Sequence, residues 1–230
     1  LIAIKPHPQA PEDLDFDDAD PSSIIEWAVE RVGKDRLVLA TSFQPSGMVN
    51  VHMLSKIAPE VPVVFIDTLY HFEETLAFVD RVAELYRLDL RVYRPAESRE
   101  EFERIHGERL WERDLDRFHY LTKVEPMERA LKGVGGWITG RRRDQAATRS
   151  DMPLVEFGER IKVNPLAAWT RKDVWNYIMK HNVPYNPLHD RGYTSIGDEP
   201  LTTPVVEGED ERAGRWRGQG RLECGIHTLI

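Results

Sequence analysis

Residues 36 to 57 read RLVLATSFQPSGMVNVHMLSKI, and the fold turns on how this stretch is read. RLVLA (36–40) is an apolar run of the length of a buried strand, and MVNVHMLSKI (48–57) carries a helical pattern. Between them TSFQPSG (41–47) holds Pro, Gly and the hydroxyls of Thr41, Ser42 and Ser46, the composition of a tight polar turn. Strand, turn and helix in that order make the first half of a βαβ unit.

The same alternation continues in both directions. PSSIIEWAVERVG (21–33) predicts a helix, with Ser23 and Glu26 in capping-box spacing and Gly33 as its stop. VPVVFID (61–67) predicts a second strand ending at Asp67, followed by a helix on which Phe72, Leu76, Val79, Ala83 and Tyr86 share a face. LDLRVYR (88–94) and GGWITG (135–140) predict further strands, and SREEFERIHG (98–107) a capped helix between them. RIKVNPLAAW (160–169) precedes a helix capped by Thr170 with Asp173; there Val174, Tyr177 and Ile178 have core spacing, which makes Trp175 a packing residue. Strands alternating with helices of this length imply parallel crossovers, hence an α/β doubly wound parallel sheet covered on both faces. Residues 1–20, rich in Pro and acid, read as an extended acidic N-terminal arm. Residues 182–220 are irregular and too long for an idle connection, so they read as either functional or disordered.

Bulk composition narrows the function. The chain has 230 residues, 41% hydrophobic and 30% charged, enough for one well-buried core. No apolar run approaches the ~20 residues of a membrane span, and LIAIKPHPQA (1–10) lacks a charged region followed by an apolar one, so the cytoplasm is the expected compartment. A formal charge of −8 argues against a nucleic-acid-binding surface, so anionic ligands must meet local clusters such as GRRRDQAATR (140–149). That cluster reads equally as a solvated helix face.

In open parallel sheets ligands bind beyond the carboxyl ends of strands, where helix N-termini offer unpaired N–H groups. TSFQPSG has that position but is no Walker loop, so it reads as a plain turn with polar caps or as an anion site. Asp67 is likewise a helix cap or a ligand contact. The single cysteine, Cys224, lies in RLECGIHTLI (221–230). One cysteine excludes an internal disulfide and the thiolate set of an ordinary iron-sulfur cluster. Its neighbours show no apolar period, which favours an exposed, mobile thiol over a buried one; Arg212, Arg215, Arg217 and Arg221 upstream offer the cations a thiolate needs. Cys224 and His227 make half a zinc site with no visible second half, so no metal is expected.

Taken in order, TKVEPMERAL (122–131), TGRRRDQAATR (139–149), NPLHDRGYTSIGD (186–198), EDERAGRW (209–216) and ECGIH (223–227) resemble the assimilatory phosphoadenylyl-sulfate (PAPS) and adenylyl-sulfate (APS) reductases. The resemblance runs from about Leu37 to His227 and implies a sheet of the adenine nucleotide alpha hydrolase-like type. It implies a modified phosphate loop at TSFQPSG, a homodimer, and a mobile C-terminal tail carrying the nucleophile. The cluster-bearing branch places cysteine pairs at positions that here read Phe118, His119, Asp198 and Leu201, so the resemblance is to the cluster-free, PAPS-reducing branch. Its implied division is an arm (1–20), a nucleotide-binding domain (21–206) and a catalytic tail (207–230).

The resemblance further implies Cys224 as the nucleophile that takes the sulfo group as S-sulfocysteine. It implies substrate-binding roles for Ser42, Lys123, Arg142, Arg143, Arg149, Arg212 and Arg215, with His227, Asp67 and Gln145 as auxiliaries. Without a second cysteine the adduct must be reduced from outside, by thioredoxin or glutaredoxin. A cluster-free APS reductase is the alternative reading. An ATP-splitting ligase or tRNA-sulfur enzyme of the same superfamily is another, although the Ser-Gly-Gly-x-Asp-Ser loop usual in those enzymes does not occur here.

Overall fold

The computed structural model describes residues 19–218 together with Gly225 and Ile226. Helix α1 (Pro21–Val32) begins one turn earlier than the Ser23/Glu26 spacing suggests, because the Asp20 carboxylate accepts from the Ser22 amide at 2.8 Å and Pro21 supplies a helix-ready φ at the first position. Gly33 ends it at φ 84°, as expected. Strand β1 (Leu37–Ala40) leads through the 41–44 turn into α2 (Pro45–Ile57), and β2 (Val63–Ile66) leads into α3 (Glu73–Tyr86). The buried face of α3 is Thr75, Phe78, Val79 and Val82, rotated from the expected stripe, so that Leu76 is exposed.

Strand β3 (Leu90–Tyr93) is followed by α4 (Arg99–His106), capped as expected, its cap a Ser98/Glu101 capping box. Two short helices, α5 (Leu110–Arg113) and α6 (Leu115–His119), run into a π-helical turn at Tyr120–Val124 and then α7 (Glu125–Ala130). Strands β4 (Gly136–Ile138), β5 (Val155–Glu156) and β6 (Ile161–Val163) complete the sheet before α8 (Arg171–His181), which carries the expected Thr170/Asp173 box.

The six strands lie in the order β3-β2-β1-β4-β6-β5. All neighbours are parallel except β5 and β6, which form an antiparallel hairpin at the edge (Val155 opposite Val163), a departure from the all-parallel expectation. Side chains alternate across the sheet: Leu37 and Leu39 enter the core beneath α1, α2, α3 and α8, whereas Val38 enters the opposite layer with Val64, Met127 and Trp137. Each fully buried side chain of this size contributes about 1.5–3 kcal/mol. The chain winds outward from β1 through β2 to β3 and then returns to β1's other side as β4. A crevice therefore opens beyond the carboxyl ends of β1 and β4, where strand order reverses. No helix among the described residues is long and apolar enough to cross a membrane.

Candidate active site

A cavity occupies that crevice. Its apolar wall is formed by Val64, Ile66, Met127, Trp137 and Ile226, and its polar rim by the 41–47 turn, the arginine stretch after β4, and residues from the 194–216 region. The irregular 182–218 segment helps to form the cavity: Thr194 to Gly197 and Glu211, Arg212, Arg215 and Trp216 supply part of the wall.

The turn is shaped by local bonds. Thr41 Oγ1 accepts the Phe43 amide at 2.9 Å, and Phe43 takes a left-handed φ of 55° that sends its ring into the core against Phe65. Gln44 Oε1 accepts the Ile196 amide at 2.9 Å, tying the turn to the far wall. A Cβ on Gly47 would sit 2.1 Å from Thr41 Oγ1, and one on Gly140 only 3.0 Å from the Gly47 nitrogen, so both glycines permit the close approach that forms the crevice floor. Ser42 is exposed and lines the cavity.

The arginine stretch divides. Arg149, almost fully buried, lines the cavity and donates to Gln145 Oε1 at 2.5 Å, so Gln145 is placed at the wall too. Arg142 and Arg143, expected as ligand contacts, do not line it. Arg142 is 1% exposed, with its guanidinium committed to Asp144 (2.9 Å), Ser46 Oγ (2.5 Å) and Glu211 (2.7 Å). Arg143 Nε donates to the Met152 carbonyl at 2.8 Å. Asp67 also lies off the wall: it accepts the Leu69 amide at 3.0 Å and pairs with Arg94 at 3.6 Å, the work of a turn residue.

Lys123 stands in the π-turn, buried, at the cavity wall, and its ammonium donates to Asp198. Asp198 also accepts from Thr68 Oγ1 at 2.7 Å. Burial works to raise the Asp198 carboxyl, but the adjacent Lys123 ammonium outweighs it and holds the group well below the usual carboxylate range. His119 Nε2 lies 4.0 Å from Asp198 and accepts from Trp216 Nε1 at 3.2 Å. Thus Phe118, His119, Asp198 and Leu201 converge. Their surroundings are packed: Phe118 and Leu201 share a buried cluster with Tyr70, Phe102 and Trp216.

Trp216 also organises the two tail arginines. At a left-handed φ of 50° its ring is buried, with the Arg215 guanidinium carbon 4.5 Å and that of Arg212 5.5 Å from the ring centroid. Arg215 also donates to the Ile196 carbonyl at 3.2 Å. A Cβ on Gly197 would fall 2.1 Å from Arg215 Nη2, so a side chain there would displace the guanidinium. Cys224 and His227 lie outside the described residues, but Ile226 between them lines the cavity.

Sequence reasoning missed His71, Glu211 and the role of Trp216. The His71 ring stacks on Phe65 (centroids 5.1 Å apart) with Nε2 3.0 Å from the Ile66 carbonyl. Burial lowers its pKa, so the neutral ring donates through Nε2, and buried Nδ1 has no hydrogen-bond partner. A histidine or tryptophan in an irregular segment carries no period that marks it as a wall residue. Among the described residues no group of three or more His, Cys, Asp or Glu could hold a metal.

Residues 36–204 match the family described as phosphoadenosine phosphosulfate reductase domain. A phosphoadenosine phosphosulfate reductase of Emericella nidulans is 43% identical over 99% of this chain and 77% of its own length. One of Gloeobacter violaceus is 45% identical over 93% and 90%. A protein of Halalkalibacterium halodurans named adenosine 5'-phosphosulfate reductase is 44% identical over 90% and 91%. Among solved structures, a PAPS reductase of Candida auris in its phosphate complex superposes with a TM-score of 0.76 at 38% identity, covering 87% of this chain and all of that one. An FMN adenylyltransferase of Candida glabrata, at TM-score 0.62 and 14% identity over 94% of this chain and 81% of that one, shares the fold alone.

Proposed function

We propose, from the premise that this chain belongs to the phosphoadenosine phosphosulfate reductase family, that it reduces PAPS to sulfite and adenosine 3',5'-bisphosphate through an S-sulfocysteine at Cys224. The family is one of oxidoreductases acting in sulfate assimilation; the nucleotide, the nucleophile and the electron donor are our own reading. The observation that carries it is Ile226. Two residues beyond Cys224 in the chain, it lines the same cavity as Lys123, Arg149, Arg212 and Arg215. Two peptide links span at most about 7 Å between Cα atoms.

In this reading the Cys224 thiolate attacks the sulfur of the sulfonucleotide. The S–S bond forms as the sulfur–oxygen bond to phosphate breaks, and the nucleotide phosphate leaves with the electron pair. One anion attacks another, so the step needs fixed cations. Arg149, Arg212 and Arg215 at the wall, with Ser42 in the turn, supply positive charge and donors to the developing oxyanions; one preorganised donor of this kind is worth about 3–4 kcal/mol. Lys123 adds its ammonium from a position fixed by Asp198. Arg142 and Arg143 act in the scaffold instead.

A thiolate of reduced thioredoxin or glutaredoxin then attacks Cys224 Sγ and expels sulfite, and its partner thiol resolves the mixed disulfide, leaving a donor disulfide and a free Cys224. Two electrons pass from dithiol to sulfur. The tail (207–230) closes for the first step and opens for the second. A homodimer and a cytoplasmic setting complete the reading, with residues 21–206 as the nucleotide-binding unit and the acidic arm outside it.

APS is the second substrate to consider, because relatives of equal similarity are named for it. Supplying PAPS or APS with reduced thioredoxin and measuring sulfite separates the two: sulfite from PAPS alone supports the proposal, and sulfite from APS moves the assignment. ATP consumed to pyrophosphate without sulfite would replace it with a ligase. Cys224→Ser is expected to abolish sulfite release while leaving nucleotide affinity within about twofold of wild type. Turnover by the serine variant would remove Cys224 from the mechanism.

A further inference from the structure

We infer that Glu211 is a positioning residue whose carboxylate latches the 209–216 segment onto buried Arg142 and so holds the Arg212 and Arg215 guanidiniums at the cavity wall. The inference rests on the nucleotide reading above only in taking the cavity's ligand to be an adenine nucleotide.

Arg142 is a fixed hub. Its three bonds reach three separate parts of the chain: Ser46 at the start of α2, Asp144 within the arginine stretch, and Glu211 in the tail. Asp144 is itself held, its second oxygen accepting the Arg171 amide at 2.6 Å at the start of α8. A guanidinium is planar and always charged, so a carboxylate bound to one that is immobilised this way inherits its position.

Glu211 is pinned at its backbone as well, its carbonyl accepting Thr194 Oγ1 at 2.6 Å. Five residues on, Trp216 is pinned by its buried ring and by its bond to His119. Arg212 and Arg215 lie between these pins, both at the cavity, and both against the Trp216 ring. Removing the Glu211 carboxylate takes away the tie to Arg142 and leaves that end of the clamp held by the Thr194 bond alone, with the Trp216 end intact. The loss then falls on contacts with the ligand's anionic groups and spares those with its base.

The test is a double-mutant cycle on the full chain, read by calorimetry with adenosine 3',5'-bisphosphate, AMP and adenosine. Glu211→Ala is expected to weaken the anionic nucleotides about tenfold and to leave adenosine within about twofold. Added to Arg212→Ala/Arg215→Ala, it should cost no more than a further twofold, because it acts through those two side chains. Glu211→Gln, which keeps the shape and loses the charge, gives the same readout if the alanine variant fails to fold. Losses that multiply, or an equal weakening of adenosine, would overturn the latch; so would wild-type affinity in both Glu211 variants. A wild-type protein that binds none of the three compounds overturns the nucleotide reading, and the latch with it.

Discussion

Asp198 sits fully buried, and a carboxylate in such a place is tolerable only with a cation beside it. Lys123 supplies that cation, and Thr68 supplies a further donor. Because the carboxyl is held well below its ordinary value near 3.9, the folded state binds fewer protons than the unfolded chain in acid. Its contribution to stability is therefore complete above about pH 4 and is lost as pH falls below that value. Asp198→Asn leaves a buried ammonium without its counterion and is expected to destabilise by about 3–5 kcal/mol at neutral pH. It should also flatten the acid limb of a stability–pH curve measured by urea unfolding. A variant as stable as wild type would show that the pair carries no net stabilisation. Lys123 could be singled out in the sequence because it lies in a recognisable motif. Asp198 closes another such motif, but its pairing with Lys123 could not be read: it is 75 residues away, and only the return of the irregular segment over the sheet brings the two together.

At the scale of elements, local rules succeeded where the deciding contacts are local. The boxes at Ser98/Glu101 and Thr170/Asp173 each satisfy helix-end amides within four residues, so spacing alone reveals them. Ser23/Glu26 has the same spacing, but Asp20 followed by Pro21 caps one turn earlier and wins. The β5–β6 hairpin escaped because its strands are two and three residues long, too short for periodicity. The contact of α2 with α8 shows a pairing no local rule gives. His52 on α2 lies 2.8 Å from the Tyr177 hydroxyl on α8, and its ring is 5.6 Å from that of His181. Burial, with Lys56 and His181 adding like charge, lowers the His52 pKa to about 4. A histidine that stays neutral when folded but titrates near 6.5 when unfolded stabilises fully above pH 6.5, and the benefit drains away as pH falls toward 4. For one such group the loss between pH 7 and pH 5 is about 2 kcal/mol. His52→Gln should remove that share of the slope in unfolding free energy measured at the two pH values, while His189, also lowered to about 4, keeps its own. An unchanged slope would mean that His52 protonates in place.

Across the whole molecule, the cavity is a meeting point for segments far apart in sequence. The 41–47 turn, the stretch after β4, the π-turn lysine and the 194–216 segment each contribute one side, and the strand order places them together. The fold class was legible because strand and helix periods recur along residues 21–181, the short β5–β6 edge aside. The site was legible only as motifs, since nothing in a single sequence shows that Arg142 turns inward to Ser46 and Glu211 while Arg149 reaches the wall. A ligand that touches all four segments binds the folded chain and not the unfolded one, so it must raise the melting temperature by mass action. At a concentration 100 times its dissociation constant the gain is about 2.7 kcal/mol, which for a chain of this size corresponds to a shift of about 5–10 °C. Adenosine 3',5'-bisphosphate is expected to produce that shift in wild type and equally in Cys224→Ser, because the proposed mechanism gives Cys224 a part in the chemical step and none in nucleotide binding. AMP at the same concentration should shift it less if the enzyme prefers PAPS, and as much if it prefers APS. Thermal melts with each nucleotide decide between these outcomes, and a flat response to both would mean that the crevice at the β1/β4 switch holds neither nucleotide.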